Sequence, residues 1–272
     1  MKNLFFLLSL IFVVSCDKKV NNSSIEPHLE LVSFEIQVKM VEIPGGYYRP
    51  FFDIDSIKEV YVSRFFMDER LVTNQEYLNF LIANPQWVKS NILSLYADDN
   101  YLKNWKSDFE IPEGVSLQAP VTNVSWYAAK AFAQSLGKRL PTVDEWEYVG
   151  VADKSSPNAA DNPEFTNYIL ASYKTGERYK IPVKAGQSNY YGIYDMYGSV
   201  WEWTSDFNSV MMTGESRNSN IKNENLFCAG ASLTATDLKN YAAFIRFAMR
   251  GSVKANYCIN NLGFRCVKDI TI

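Results

Sequence analysis

The sequence contains one histidine, His28, in a polar stretch near the N-terminus. Beyond that stretch, a His-based triad, a multi-histidine iron site and a histidine-rich zinc site are all excluded. Cysteine is also scarce, limited to Cys16, Cys228, Cys258 and Cys266. Basic charge is not in excess: 27 Lys and Arg stand against 30 Asp and Glu. A nucleic-acid binder needs a basic face, so no nucleic-acid partner is expected. No apolar run reaches the ~20 residues of a spanning helix, and there is no long internal repeat or heptad pattern. Aromatic residues are abundant, at 15% of 272 residues with 47% hydrophobic overall. That composition belongs to a globular chain with ample core.

Met1–Asn3 carries one positive charge, and Leu4–Val14 is apolar. The run is too short to span a membrane and fits a signal-peptide core. It ends in Val13–Val14–Ser15–Cys16, which resembles a bacterial lipobox. On that reading residues 1–15 are removed and Cys16 carries a lipid, anchoring the protein to a membrane without spanning it. The alternative is an ordinary signal peptide that ends near a cysteine. Residues 16–30 are polar (CDKKVNNSSIEPHLE) and read as a flexible tether. The folded domain is expected over 31–272. The expected location is the bacterial cell envelope, at the outer membrane. Export permits a disulfide, but three cysteines remain and their pairing stays open.

Leu31–Glu42 alternates, with Phe34, Ile36, Val38 and Met40 on one side, and predicts a half-buried strand. Ile43–Gly46 turns the chain, and Lys58–Met67 predicts a second strand. Thr73 and Glu76 have capping-box spacing ahead of the apolar face Tyr77, Phe80, Leu81. Pro85–Leu117 reads as loop with short helical pieces. Its Trp87, Tyr96, Tyr101 and Trp105 either pack on the core or form a surface cluster that binds ligand. A helix is predicted over Tyr127–Leu136 with a stop at Gly137. Thr142 and Glu145 start another from Val143 to about Val151, with Trp146 and Gly150 on one face. Asp153–Asn162 and Arg217–Asn225 read as loops, and Phe244–Arg250 alternates like a strand.

Gly192–Phe207, GIYDMYGSVWEWTSDF, crowds aromatics, glycines and acids together and predicts a buried, hydrogen-bonded loop core. With Gly137–Tyr148 (GKRLPTVDEWEY) and Gly263–Cys266 (GFRC), it resembles the formylglycine-generating enzyme, or sulfatase-modifying factor, family. Further landmarks stand in the family's order at Ile43–Gly46, Val72–Phe80, Val121–Trp126 and Gly230–Ser232. The resemblance implies an α+β domain of C-type-lectin-like fold, with short antiparallel sheets, few helices and much irregular loop. The family's usual YPWG segment is missing.

Active members of that family oxidise a sulfatase cysteine to formylglycine with oxygen and hold Cu(I) through two cysteines shortly after a GGS motif. Soft Cu(I) selects thiolates. Here the motif is Gly230–Ala231–Ser232, and Leu233–Phe247 contains no cysteine. Copper is therefore not expected. Cys228 and Cys258 meeting around copper is one alternative. A disulfide among Cys228, Cys258 and Cys266, or buried free thiols, is the plainer one. Ser232 and Trp203 mark the place of the enzymes' cleft. The family also binds structural calcium through loop oxygens, which implies Asn167 and Glu202 as ligands; Ser199 stands where the family has Asn, and a dry, hydrogen-bonded turn is the alternative. Arg139, Arg246, Arg250 and Arg265 lie in apolar surroundings and require carboxylate partners, with Glu145, Glu147, Asp195 and Glu202 as candidates.

The combined expectation is a lipid-anchored, non-catalytic member acting as a structural or binding component of an envelope protein complex. It is similar in plan to gliding-motility and type IX secretion lipoproteins of Bacteroidetes. A copper-dependent oxidoreductase with an altered site and a ligand-recognition module are the alternatives.

Overall fold

The structure is a computed structural model that describes residues 38–49, 59–174, 176–208 and 238–270. The expected leader over residues 1–15, the expected tether with Cys16, the expected Arg217–Asn225 loop, Cys228 and Ser232 lie outside the described residues. The described residues all belong to one unit, Ile36–Ile272. No helix among them is long and apolar enough to cross a membrane.

The strands are β1 (Met40–Ile43), β2 (Gly46–Tyr48), β3 (Val60–Val62), β4 (Phe65–Asp68), β5 (Trp201–Glu202), β6 (Leu262–Gly263) and β7 (Val267–Asp269). The α-helices are α1 (Asn74–Ala83), α2 (Trp126–Ser135), α3 (Val143–Gly150), α4 (Pro163–Ser172) and α5 (Leu238–Ser252). The α+β class with short sheets and much loop is as expected. β4 is the centre of an antiparallel sheet ordered β1-β4-β7, with Met40 opposite Asp68 and Phe65 opposite Asp269. β2 and β3 form a separate hairpin, and β5 and β6 pair in parallel.

The single strand predicted over Lys58–Met67 is two strands in two sheets, with Lys58 outside the described residues. Its buried residues shift phase, from Val62 to Phe65 and Met67. Side chains alternate faces along a strand, so one continuous strand would turn one of these sets outward. The break at Ser63–Arg64 keeps both sets inside. Gly45 permits the corner: a Cβ there would lie 2.9 Å from the Arg64 backbone nitrogen and 3.0 Å from the Val62 carbonyl.

α1 and α3 start with the same device. Thr73 and Thr142 cap their helices, and Glu76 and Glu145 return the bond to the cap backbone. Arg70 and Arg139, each six residues before its glutamate, then hold that glutamate through both guanidinium ends. Each arginine also donates to the carbonyl of the leucine after it, Leu71 or Leu140. RLVTNQE and RLPTVDE are thus one local structure made twice.

Two helices differ from the sequence reading. The stretch Phe244–Arg250, expected as strand, lies within α5. Its buried residues, Ala242, Ala243, Arg246 and Arg250, follow helical spacing. α4 was not predicted, yet Asn162 caps it by accepting from the Glu164 N–H, and Pro163 opens it. Tyr101 and Trp105 are buried, and Tyr101 bonds to Tyr77 and to the Trp87 carbonyl. The Pro85–Leu117 aromatics thus largely pack on the core.

The interior has two main hydrophobic clusters. One gathers α1, α2, Trp203 and Phe264; the other gathers the β1-β4-β7 sheet, α3, α4 and Tyr197.

Candidate functional site: a cavity beside the tryptophan-rich loop

Gly192–Phe207 is the buried, hydrogen-bonded loop the sequence predicts. Asp195 sits at φ 57° and accepts from the Lys184 N–H at 2.6 Å. Trp203 is 1% exposed and donates its indole N–H to the Val124 carbonyl. The Trp126 indole donates to the Thr204 carbonyl, and Asp206 accepts from the Val143 N–H at the first turn of α3. The loop therefore binds α2 and α3 to β5.

The predicted arginine pairings form. Arg265 donates to both oxygens of Glu202, at 2.7 and 3.0 Å, and to the Tyr194 carbonyl. Arg139 holds Glu145 and Asp269. Arg246 and Arg250 both take Glu147, through contacts of 3.0 and 2.8 Å from Arg246 and 2.6 Å from Arg250. Burial raises the Glu147 carboxyl, but the two guanidinium groups outweigh it and bring its pKa to about 2. Asp195 pairs with a backbone N–H and not with an arginine.

These contacts bear on each metal. Glu202 is buried with both carboxylate oxygens already neutralised by Arg265, while Asn167 is exposed on α4. A calcium ion needs several uncommitted oxygens, and this carboxylate is not one. Cys258 and Cys266 are buried and free, so they are not bonded to each other. Burial and the neighbouring carboxylates, Asp98 for Cys258 and Asp68 for Cys266, push both thiols well above the ordinary range. A soft metal requires thiolate, and these surroundings oppose it. Among the described residues no group of three or more His, Cys, Asp or Glu side chains could hold a metal ion.

Beside β5 lies a cavity of about 260 Å³, lined in part by Trp146, Tyr173, Arg178, Trp201, Arg246 and Arg250. The Tyr173 and Trp201 rings stack, with centroids 5.0 Å apart and planes at 25°. Arg250 lies over the Trp146 ring at 5.0 Å. Gly198, at φ 84°, lets the loop pass Arg178: a Cβ there would sit 2.9 Å from Nη1. Trp201 lines this cavity, and Trp203, marked from sequence for the enzymes' cleft, does not line it. Tyr173 was missed because α4, whose last turn leads into it, was missed. The cue was the Asn162–Pro163–Glu164 helix start.

The chain matches the sulfatase-modifying factor enzyme 1-like domain model over residues 33–270. It is 29% identical to the formylglycine-generating enzyme of Bos taurus, covering 85% of this chain and 75% of that one. It is 27% identical to the inactive C-alpha-formylglycine-generating enzyme 2 of Bos taurus, covering 84% and 87%. The solved structure of PvdO from Pseudomonas aeruginosa superposes with a TM-score of 0.46 at 16% identity, covering 85% of this chain and 94% of that one. With a match that takes in the α3 helix, the tryptophan-rich loop and the GFRC ending alike, this chain belongs to the sulfatase-modifying factor family.

Proposed function

We propose that the protein is a lipid-anchored envelope protein whose family domain binds and does not oxidise. The carrying observation concerns the segment after Gly230–Ser232. Where the active enzymes need a thiolate pair, this chain supplies α5, whose Arg246 and Arg250 are held on Glu147. Cys258 and Cys266 are buried protonated thiols with carboxylate neighbours, a poor setting for Cu(I). A family relative described as inactive matches this chain over most of its length. Calcium is not part of the proposal, because Glu202 is committed to Arg265.

The test is direct. Purified protein incubated with a sulfatase peptide, oxygen and Cu(I) should yield no peptide aldehyde by mass spectrometry. Cu(I) should not bind stoichiometrically through thiolates, and Cys228→Ser should change nothing. Aldehyde formation, or tight binding abolished by that substitution, would establish the copper-dependent alternative. Lipid on Cys16 should appear as a mass increment lost in Cys16→Ala. A role in an envelope complex, of the gliding-motility or type IX secretion kind, predicts reproducible partners after mild solubilisation of the membrane. A lone monomer would count against it. The cavity beside β5 favours ligand recognition as a second reading.

A further inference from the structure

A second cavity, of about 310 Å³, lies between the start of α1, the loops 102–105 and 112–123, and the segment 179–180. Its walls are pinned by backbone hydrogen bonds. The Asn74 N–H donates to the Ala119 carbonyl, Leu102 to Asn123, Asn123 to Ile259 and Val183 to Gln118. No arginine lines it. Its two charged residues are opposite in sign and each has a partner: Glu113 meets Lys106 at 3.6 Å, and Lys180 meets Glu177 at 2.8 Å. An ionic ligand finds no unmatched charge here.

What the lining offers is neutral. Asn74, Trp105 and Thr122 are at most 9% exposed. Yet the Asn74 side-chain oxygen, the Trp105 indole N–H and the Thr122 hydroxyl make no hydrogen bond among the described residues; Asn74 uses only its amide nitrogen, on the Ser116 carbonyl. None of the three is sealed in. The buried polar atoms shut off without a partner, among the described residues, are Trp146 Nε1, Thr204 Oγ1 and Arg265 Nη1, and none of those residues lines this cavity. Asn104 is exposed and adds a further amide oxygen, its nitrogen being held on Asn123 at 3.3 Å. The set is one N–H, two amide oxygens and one hydroxyl. Acceptors outnumber fixed donors, which disfavours a carboxylate or phosphate. A ligand hydroxyl both donates and accepts, so a molecule with several hydroxyls serves every group. The rings of Trp105 and Tyr179 supply apolar faces for its C–H groups.

We propose that this cavity binds one ring of a neutral sugar. Ligand pockets run from roughly 300 to 1,000 Å³, and this one, at the small end, suits a single ring. A free sugar and the end of a glycan chain share this chemistry. The site lies apart from the arginines beside β5, and its ligand is tested independently of the non-catalytic reading.

The experiment is an NMR titration of the full-length protein with glucose, galactose, mannose and N-acetylglucosamine, and with the β-1,4 disaccharides of glucose and of N-acetylglucosamine. Glucuronate and triglycine amide serve as comparisons. Binding of at least one neutral sugar at millimolar concentration is expected, more tightly than either comparison. A disaccharide that binds more tightly than its monosaccharide assigns a glycan chain as the source; equal or weaker binding assigns a free sugar. Thr122→Val keeps the shape and removes a hydroxyl that makes no bond in the fold. It should leave the denaturation midpoint in place and weaken sugar binding about fivefold. Asn104→Ala, at an exposed position, should do the same. The proposal is overturned if no sugar binds at millimolar concentration, if glucuronate binds more tightly than glucose, if triglycine amide binds more tightly than every sugar, or if either variant leaves the affinity unchanged. Aldehyde formation on a sulfatase peptide would overturn the non-catalytic reading and leave this result standing.

Discussion

The two regions of the interior hold together by different forces. Around α1 and α2 the core is an aromatic lattice. Phe132 meets Phe264 at 5.3 Å, Phe80 at 5.4 Å and Tyr77 at 5.9 Å. Between α3 and α5 the core is ionic, with Glu147, Arg246 and Arg250 all nearly or fully buried. The first kind of core is tolerant: dispersion and burial are non-directional, so partial loss is graded. The second is all-or-none, because removing one partner leaves charge stranded in low dielectric. The ionic region also carries the cavity. Buried charge there does not mark the best way to stabilise a fold, and it places Arg246 and Arg250 on the wall of the cavity beside β5.

The largest expected effect breaks the ionic region. Glu147→Ala strands two guanidinium groups and should cost about 5 kcal/mol, read as a loss of denaturation midpoint. Replacing all three residues with Glu147→Leu, Arg246→Met and Arg250→Met should recover most of that loss, since the penalty lies in uncompensated charge. If the triple variant is no more stable than Glu147→Ala, the charge explanation fails. Phe132→Ala breaks the aromatic region and should cost about 4 kcal/mol through lost burial and a residual cavity. Its cost should be insensitive to salt and pH.

Acid should separate the two regions again. The Glu147 pKa is lowered from 4.5 to about 2 in the folded protein. A depressed carboxylate stabilises the fold fully above its unfolded value and loses that contribution as pH falls through the folded value. Stability linked to Glu147, about 3 kcal/mol, should therefore disappear between pH 4.5 and 2. The Phe132→Ala variant should show the same acid loss as the parent protein, and Glu147→Gln should show a shallower one.

The sequence carried much of this, unevenly. The arginine partners could be foreseen because an arginine in apolar surroundings has few solutions, and Glu145, Glu147 and Glu202 were the carboxylates near it in pattern. The capping boxes were legible because their bonds are local. α5 was misread because FIRFAMR alternates by residue type, while burial follows a period near four and places Arg246 and Arg250 on one carboxylate nearly a hundred residues back along the chain. No local rule treats an arginine as a core residue. The cavity beside β5 was illegible for a similar reason: Trp146, Tyr173 and Trp201 come from three separate places in the chain, and their meeting becomes visible only in three dimensions.

The smallest expected effect compares the two regions through their shared helix start. Thr73→Ala and Thr142→Ala each remove a cap, which typically costs ~1 kcal/mol. The surroundings make the costs unequal. Thr73 is 1% exposed, and its hydroxyl both accepts from the Glu76 N–H and donates to the Glu76 carboxylate at 2.8 Å. Its loss also loosens the carboxylate that Arg70 holds in the aromatic region. Among the described residues the Thr142 hydroxyl bonds only to the Glu145 N–H, and Asp206 already takes the Val143 N–H of the same turn at 2.8 Å. Thr73→Ala should therefore cost about 1–2 kcal/mol and Thr142→Ala about 0.5–1 kcal/mol by chemical denaturation. Adding Asp206→Asn should raise the Thr142→Ala cost towards that of Thr73→Ala, because the first turn of α3 then loses its charged acceptor as well as its cap. Equal costs for the two threonine variants would mean that the cap hydroxyls act only locally, and that the second acceptor at α3 adds nothing to its start.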